Sequence, residues 1–136
     1  MRLPSALVMI AICASAPALA GETERTFAES PGAVWDRARA AMVGHGFELT
    51  EQDRIRGRLV GRLDMPERSP YEACGDQGFA WDASWGVVSI DIAPSGSGAA
   101  AEAHGTFWGR VHFQQQTRTF PCDTTGKLEA ELIGAI

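Results

Sequence analysis

The sequence has few of the residues from which catalytic and metal-binding motifs are built. Its 136 residues include three cysteines and three histidines. It has no Cys-x-x-Cys spacing, which argues against a redox-active dithiol, and its thiols and paired histidines are too few for a zinc site. Serines such as Ser84 and Ser89 lack the nucleophile-elbow motif. We therefore predict no catalytic residue, no metal site and no cofactor, and we expect that the protein is not an enzyme.

The sequence also lacks an excess of positive charge and a run of apolar residues long enough to span a membrane. It carries 12 Lys and Arg against 17 Asp and Glu, a formal net charge of −5. Nucleic acids and anionic lipids bind clustered Lys and Arg, so neither is an expected partner. The apolar run from Ala6 to Ile12 is about one third of the roughly 20 residues that a transmembrane helix needs. No transmembrane span is predicted.

The first twenty residues have the three zones of a secretory signal peptide. Arg2 precedes the apolar run, and Ala18-Leu19-Ala20 stands before Gly21 as a cleavage site. We expect cleavage after Ala20, so that residues 21–136 form a single exported domain. Lipid attachment at Cys13 is disfavoured, because Ile12 stands where lipoprotein signals have a small residue.

Two cysteines remain once Cys13 is removed with the signal peptide. In an oxidising compartment an even number of cysteines in a small exported domain predicts a disulfide, here between Cys74 and Cys122. Closing a loop of this length stabilises a fold by about 4 kcal/mol on the chain-entropy model.

Two segments have the periodicity of amphipathic helices. The first follows Ser30, a good N-cap, and Pro31, which suits the first helical position; Gly44 and Gly46 can end it. Its apolar residues recur at spacings of three and four: Val34, Trp35, Ala38, Ala41 and Met42. The imidazolium of His45, at the end of this helix, suits the negative end of the helix dipole. The second helix is predicted over residues 127–136, after the capping-rich segment 123–126.

The remaining chain has the period of two that is typical of strands. We predict an edge strand over residues 22–28, strands over 47–50 and 55–63, and a hairpin over 85–113 that reverses at residues 95–98. Gly57 and Gly61 on the inward face of the third strand predict that a bulky element lies against it. Residues 64–84 are predicted to form a long connection. The order β-α-β-β-β-β-α predicts an α+β fold, an antiparallel sheet of about four to six strands packed on one face by two helices.

The second arm of the hairpin carries the candidate binding surface. Fully extended it would measure about 50 Å at roughly 3.3 Å per residue, so we expect a bend or bulge at Gly105 or Gly109. A bulge at Gly105 would bury Trp108; without one, a contact surface lies on the polar side of the strand, formed by His104, Trp108, Arg110 and His112. The two histidines are about 26 Å apart along the strand, too far to share a metal ion.

Two short motifs carry a resemblance to known proteins. Tyr71-Glu72-Ala73-Cys74-Gly75 and the segment from Cys122 to Glu129 resemble those of small uncharacterised bacterial envelope proteins and lipoproteins. The layout of the chain is similar to the helix-grip domains of the BamC lipoprotein family. The resemblance implies a helix-grip-like fold and an accessory or binding role in the periplasm.

Three functions from different classes follow from these observations. The leading expectation is a non-catalytic periplasmic accessory or protein-binding module with an envelope protein as its partner. The alternative is a carrier that binds a small apolar ligand in a groove between sheet and helix. The third is a hydrolase with its site in residues 64–84, where Asp76 and Asp82 lie near Trp81.

Overall fold

The computed structural model describes residues 22–65, 70–74 and 81–136. Within these ranges the elements, in chain order, are β1 (Glu24–Phe27), α1 (Pro31–Gly44), β2 (Glu48–Asp53), β3 (Arg58–Met65), β4 (Glu72–Ala73), β5 (Trp81–Ser95), β6 (Gly98–Phe113), β7 (Gln116–Thr124) and α2 (Lys127–Ala135). The predicted signal peptide and Cys13 lie outside the described residues.

The strands form one seven-stranded antiparallel sheet in the order β2-β3-β5-β6-β7-β4. The remaining strand, β1, pairs with the first part of β6, whereas β7 pairs with its second part. The hairpin of β5 and β6 therefore lies at the centre of the sheet. The predicted α+β class, with an antiparallel sheet and two helices, is confirmed.

Both helices pack on one side of this sheet, which we call the inner face. α1 contacts β5, β6 and α2, and α2 contacts β6. The buried residues of β6 alternate along the strand, as burial of one face of a sheet requires. They include Ala99, Ala101, Ala103, Phe107 and Val111. The opposite side, on which neither described helix packs, is the outer face.

Local sequence accounts for α1 as predicted. The hydroxyl of Ser30 accepts a hydrogen bond from the Ala33 N–H at 3.3 Å, and all five residues of the predicted stripe are buried. At the other end, the His45 ring donates from Nδ1 to the Ala41 carbonyl at 2.9 Å. Gly46 adopts a φ of 88°, which glycine accommodates without strain.

Two glycines, Gly57 and Gly61, were predicted on the inward face of the third strand, and the prediction is confirmed for Gly61 and wrong for Gly57. A Cβ on Gly61 would lie 2.8 Å from Met42 Cε, so α1 is the bulky element against this strand. Gly57 instead lies in a turn with a φ of 72°. The predicted strand start at Ile55 is wrong: Ile55 is fully exposed in this turn, which the Asp53 carboxylate stabilises by accepting from the Arg56 N–H.

Two strands were not predicted from the sequence. β7 lies in the polar stretch between the predicted hairpin and the second helix, where we predicted no strand. β4 lies within the predicted connection over residues 64–84, and this connection is shorter than predicted because β3 extends into its start and β5 into its end. β7 is polar and contains Pro121, whose missing N–H weakens the strand signal. It is nevertheless ordered by pairing with β6, in a continuous antiparallel ladder that runs from Phe113 opposite Gln116 to Phe107 opposite Cys122.

The predicted Cys74–Cys122 disulfide is confirmed, with the two Cα atoms 4.4 Å apart. It joins the end of β4 to β7, beside the start of α2. Two further contacts hold this region together: the Thr125 hydroxyl donates to the Pro70 carbonyl at 2.8 Å, and the Tyr71 hydroxyl donates to Glu131 at 2.8 Å.

Candidate binding surface

The outer face of β6 carries all four residues of the predicted surface. The ladder with β5 keeps its register from Gly98 to Arg110, so the expected bulge in β6 at Gly105 or Gly109 is wrong. The register shift lies in β5 instead, between Trp81 and Ala83. Because the extra residue of this bulge lies in β5, the side chains of β6 keep alternating between the two faces of the sheet. Trp108 consequently stays on the outer face.

The two histidines of the predicted surface, His104 and His112, each contact a polar side chain. His104 Nε2 lies 3.2 Å from Glu102 on the same strand, and the His112 ring lies 3.0 Å from the Thr117 hydroxyl of β7. Both side chains are exposed surface groups. Within the described ranges, no group of three or more His, Cys, Asp or Glu residues could hold a metal ion.

Trp108 is half-buried because it packs against a second tryptophan. Trp85 is its direct cross-strand neighbour, and the two rings are stacked with centroids 6.2 Å apart and an interplanar angle of 17°. The Arg62 guanidinium lies 5.0 Å from the centre of the Trp85 ring, within cation–π distance. We call Arg62, Trp85, Trp108 and Arg110 the tryptophan patch.

Sequence reasoning missed the first two members of this patch. Trp85 is the first residue of the hairpin predicted over residues 85–113, and Arg62 lies in the strand predicted over residues 55–63, but neither was assigned to the binding surface. Their proximity to Trp108 depends on the register of three strands. The available signal was the hairpin turn, because counting back from residues 95–98 aligns Trp85 with Trp108.

Each arginine of the tryptophan patch is held by an aspartate. Arg62 Nε donates to Asp64 and Arg110 Nε donates to Asp82, both at 2.8 Å. These pairs are solvent-exposed and contribute little to stability. They orient the guanidinium groups, and among the described residues the terminal nitrogens have no hydrogen-bond partner. The patch therefore presents free donors beside aromatic rings.

An open groove adjoins the tryptophan patch. Its volume is about 530 Å³, which is within the range of ligand-binding clefts. Its described lining residues are Arg62, Asp64, Met65, Ala83, Ser84, Trp85 and Arg110. The charges of Arg62 and Arg110 are offset by Asp64 in the lining and by Asp82, which pairs with Arg110, so this surface does not favour a strongly charged partner.

A second cavity lies on the inner face at the end of the sheet. It has a volume of about 290 Å³, and its described lining residues are Val111, Phe113, Gln114, Gln116, Arg118 and Phe120. All of them belong to β6, β7 or the turn between them, rather than to a helix. This location differs from the groove between sheet and helix that we expected.

The resolved pKa shifts lie outside both cavities. The Arg54 guanidinium, hydrogen-bonded to Asp36, holds the pKa of that carboxyl below its usual 3.8. The hydrogen bond from Tyr71 to Glu131, together with partial burial, raises the pKa of the tyrosine above its usual 10.0. These groups fasten the helices and their flanking turns.

No described helix is both long enough and apolar enough to cross a membrane. Comparison with protein families gave no matching family model, and comparison with curated proteins gave no matching sequence. The function is therefore inferred from the chemistry of the tryptophan patch and of the cavity at the end of the sheet.

Proposed function

We propose that this chain is a non-catalytic binding module of the bacterial cell envelope and that it contacts a protein partner through the tryptophan patch. The observation that supports this most directly is the Trp85–Trp108 stack on the face that the helices leave open. Tryptophan and arginine are the side chains that contribute most to binding energy at protein interfaces. The signal-peptide pattern of residues 1–20 supports the envelope location.

The composition of the patch favours a protein over a polyanion. An aromatic centre with a polar rim is the usual anatomy of a protein interface. Asp64 and Asp82 offset the charges of Arg62 and Arg110, whereas a surface for nucleic acid concentrates unpaired cations.

The test is affinity capture from envelope extract with the purified, disulfide-bonded protein. We expect the wild type to retain a specific envelope protein that Trp85→Ala and Trp108→Ala both fail to retain. Val43→Ala is the matched control, because it removes an exposed apolar side chain, 52% accessible, from α1 on the opposite side of the sheet.

The captured protein is then purified and its affinity measured directly. Loss of a central interface tryptophan is expected to weaken binding by at least tenfold. Equal retention by the control and both tryptophan variants, or retention of nothing specific, overturns the proposal.

The cavity at the end of the sheet favours the carrier of a small apolar ligand as a second candidate function.

The hydrolase is the third expected function, and its site was expected in residues 64–84. Of these, residues 66–69 and 75–80, including Asp76, lie outside the described residues. Asp82, its other carboxylate, is paired with Arg110.

A further inference from the structure

We propose that the cavity at the end of the β6–β7 hairpin is a binding site for an anionic amphiphile, a carboxylate on a short hydrocarbon chain. We call this cavity the hairpin groove. It lies on the inner face, whereas the tryptophan patch lies on the outer face, so this proposal is independent of the protein-binding function.

The walls of the hairpin groove are suited to a hydrocarbon chain. Val111, Phe113 and Phe120 line it. Phe113 is 48% exposed, one of the few large apolar side chains in the described ranges with such exposure. The volume of about 290 Å³ is at the lower end of the roughly 300–1,000 Å³ typical of ligand pockets. This size favours a single short chain.

The charge of the hairpin groove comes from Arg118. Every other arginine in the described ranges has a carboxylate, amide or aromatic partner; these are Arg25, Arg37, Arg39, Arg54, Arg56, Arg58, Arg62 and Arg110. Arg118 has no such partner among the described residues, although the whole chain has a net charge of −5. An unpaired guanidinium beside an apolar groove is complementary to a carboxylate, which it binds through two parallel hydrogen bonds.

The turn at the rim of the groove is strained. Gln114 and Gln115 have φ values of 46° and 64°, a region that residues other than glycine, asparagine and aspartate rarely adopt. Strained backbone is common at ligand sites. The Gln114 and Gln116 amides line the groove and are uncharged, and its described lining residues include no carboxylate that would repel an anion.

The test is a titration of the ¹⁵N-labelled, disulfide-bonded protein with decanoate below its micelle-forming concentration, followed by NMR. We expect saturable shifts in the amides of residues 111–120. Arg118→Gln should weaken the affinity roughly tenfold, the loss expected for one charge-assisted contact. Arg110→Gln is the matched control, because it removes an arginine from the outer face of the neighbouring strand β6, and we expect its affinity to match that of the wild type.

Decyltrimethylammonium, with the same chain and the opposite charge, distinguishes a carboxylate site from an unspecific apolar surface. We expect it to bind far more weakly than decanoate. Equal affinity for the two amphiphiles, unchanged decanoate affinity in Arg118→Gln, or the absence of saturable shifts overturns the proposal. The spectra themselves show whether each variant is folded.

Discussion

At the residue scale, the contacts around α2 hold together elements that are far apart in sequence. Tyr71 precedes β4, yet its hydroxyl donates to Glu131 in α2. Glu129 of the same helix is only 2% exposed and packs against Gly105 of β6. Its Oε1 accepts from the Thr124 hydroxyl at 2.6 Å, whereas its Oε2 has no hydrogen-bond partner in the part of the chain that the structure describes. A buried carboxylate with one such bond depends strongly on that bond.

The Tyr71 contact can be measured directly, because the chain contains a single tyrosine. We expect alkaline titration of tyrosinate absorbance to give a pKa above 10.0, and Glu131→Gln to return it toward that value. A raised folded-state pKa means that the contact stabilises the fold below pH 10 and that this stabilisation is lost as the pH rises through the folded-state pKa. Glu102→Gln, on the outer face, is the control. A wild-type pKa at or below 10.0 would contradict the prediction.

The Thr124–Glu129 pair calls for a double-mutant cycle. Thr124→Val leaves the buried carboxylate without a donor and should lower the free energy of unfolding by about 1.5–3 kcal/mol, as for hydrogen bonds to charged groups. In a Glu129→Gln background the same substitution should cost less, because the buried group is neutral. Urea denaturation of the four proteins measures the coupling. Equal losses in both backgrounds would show that the carboxylate does not depend on Thr124.

At the element scale, the two tight turns of the sheet solve the same problem with different residues. Gly96, between β5 and β6, has a φ of 56°, and a Cβ there would meet no atom within 4 Å. The turn between β6 and β7 has glutamines at both central positions with positive φ. Two-residue turns with positive φ at both positions favour Asn-Gly. The Gln114-Gln115 turn is therefore less stable than the same turn would be with Asn-Gly at these two positions.

Because of this difference, we expect substitutions in the two turns to change the free energy of unfolding in opposite directions. Gln114→Asn combined with Gln115→Gly should raise the free energy of unfolding by about 1 kcal/mol, because neither new residue is strained at positive φ. Gly96→Ala should lower it by a similar amount, since only the backbone conformation is affected. Thermal unfolding followed by circular dichroism measures both. A destabilised Asn-Gly variant would show that the glutamine side chains hold the turn.

At the scale of the whole molecule, β6 connects the parts of the fold. It pairs with three strands, and it carries Trp108 and Arg110 of the tryptophan patch on its outer face and core residues on its inner face. The disulfide fastens the periphery of this arrangement by joining residues 48 positions apart in the chain. It constrains the unfolded chain far more than any single local contact does.

Removing the disulfide should therefore destabilise the entire domain. We expect the double variant Cys74→Ser/Cys122→Ser to lose about 4 kcal/mol of unfolding free energy, a large part of the stability of a small domain. Guanidinium denaturation of the variant and the oxidised wild type measures the loss, and the reduced wild type is the control for the serine substitutions. A loss under about 1 kcal/mol would contradict this prediction, because it would mean that the disulfide does little to restrict the unfolded chain of the wild type.

The sequence by itself determined the features that depend on local interactions. The cap at Ser30 and the apolar stripe predicted α1, the hairpin turn and the alternation of β6 predicted its two faces, and the cysteine count predicted the disulfide. Each of these signals lies within a few residues or follows from the chemistry of the compartment. They were sufficient for the α+β class, whereas the face on which Trp108 lies depended on whether β6 has a bulge at Gly105, which the sequence left open.

Only the tertiary structure decided which distant residues meet. The polar β7 has no strand periodicity of its own and is ordered by pairing with β6, so the hairpin groove with Arg118 could not be predicted. The stack of Arg62, Trp85 and Trp108 likewise depends on the register of three strands. The physical reason is the same in both cases: helix caps and stripes are local, whereas strand pairing is selected by the packing of the complete sheet.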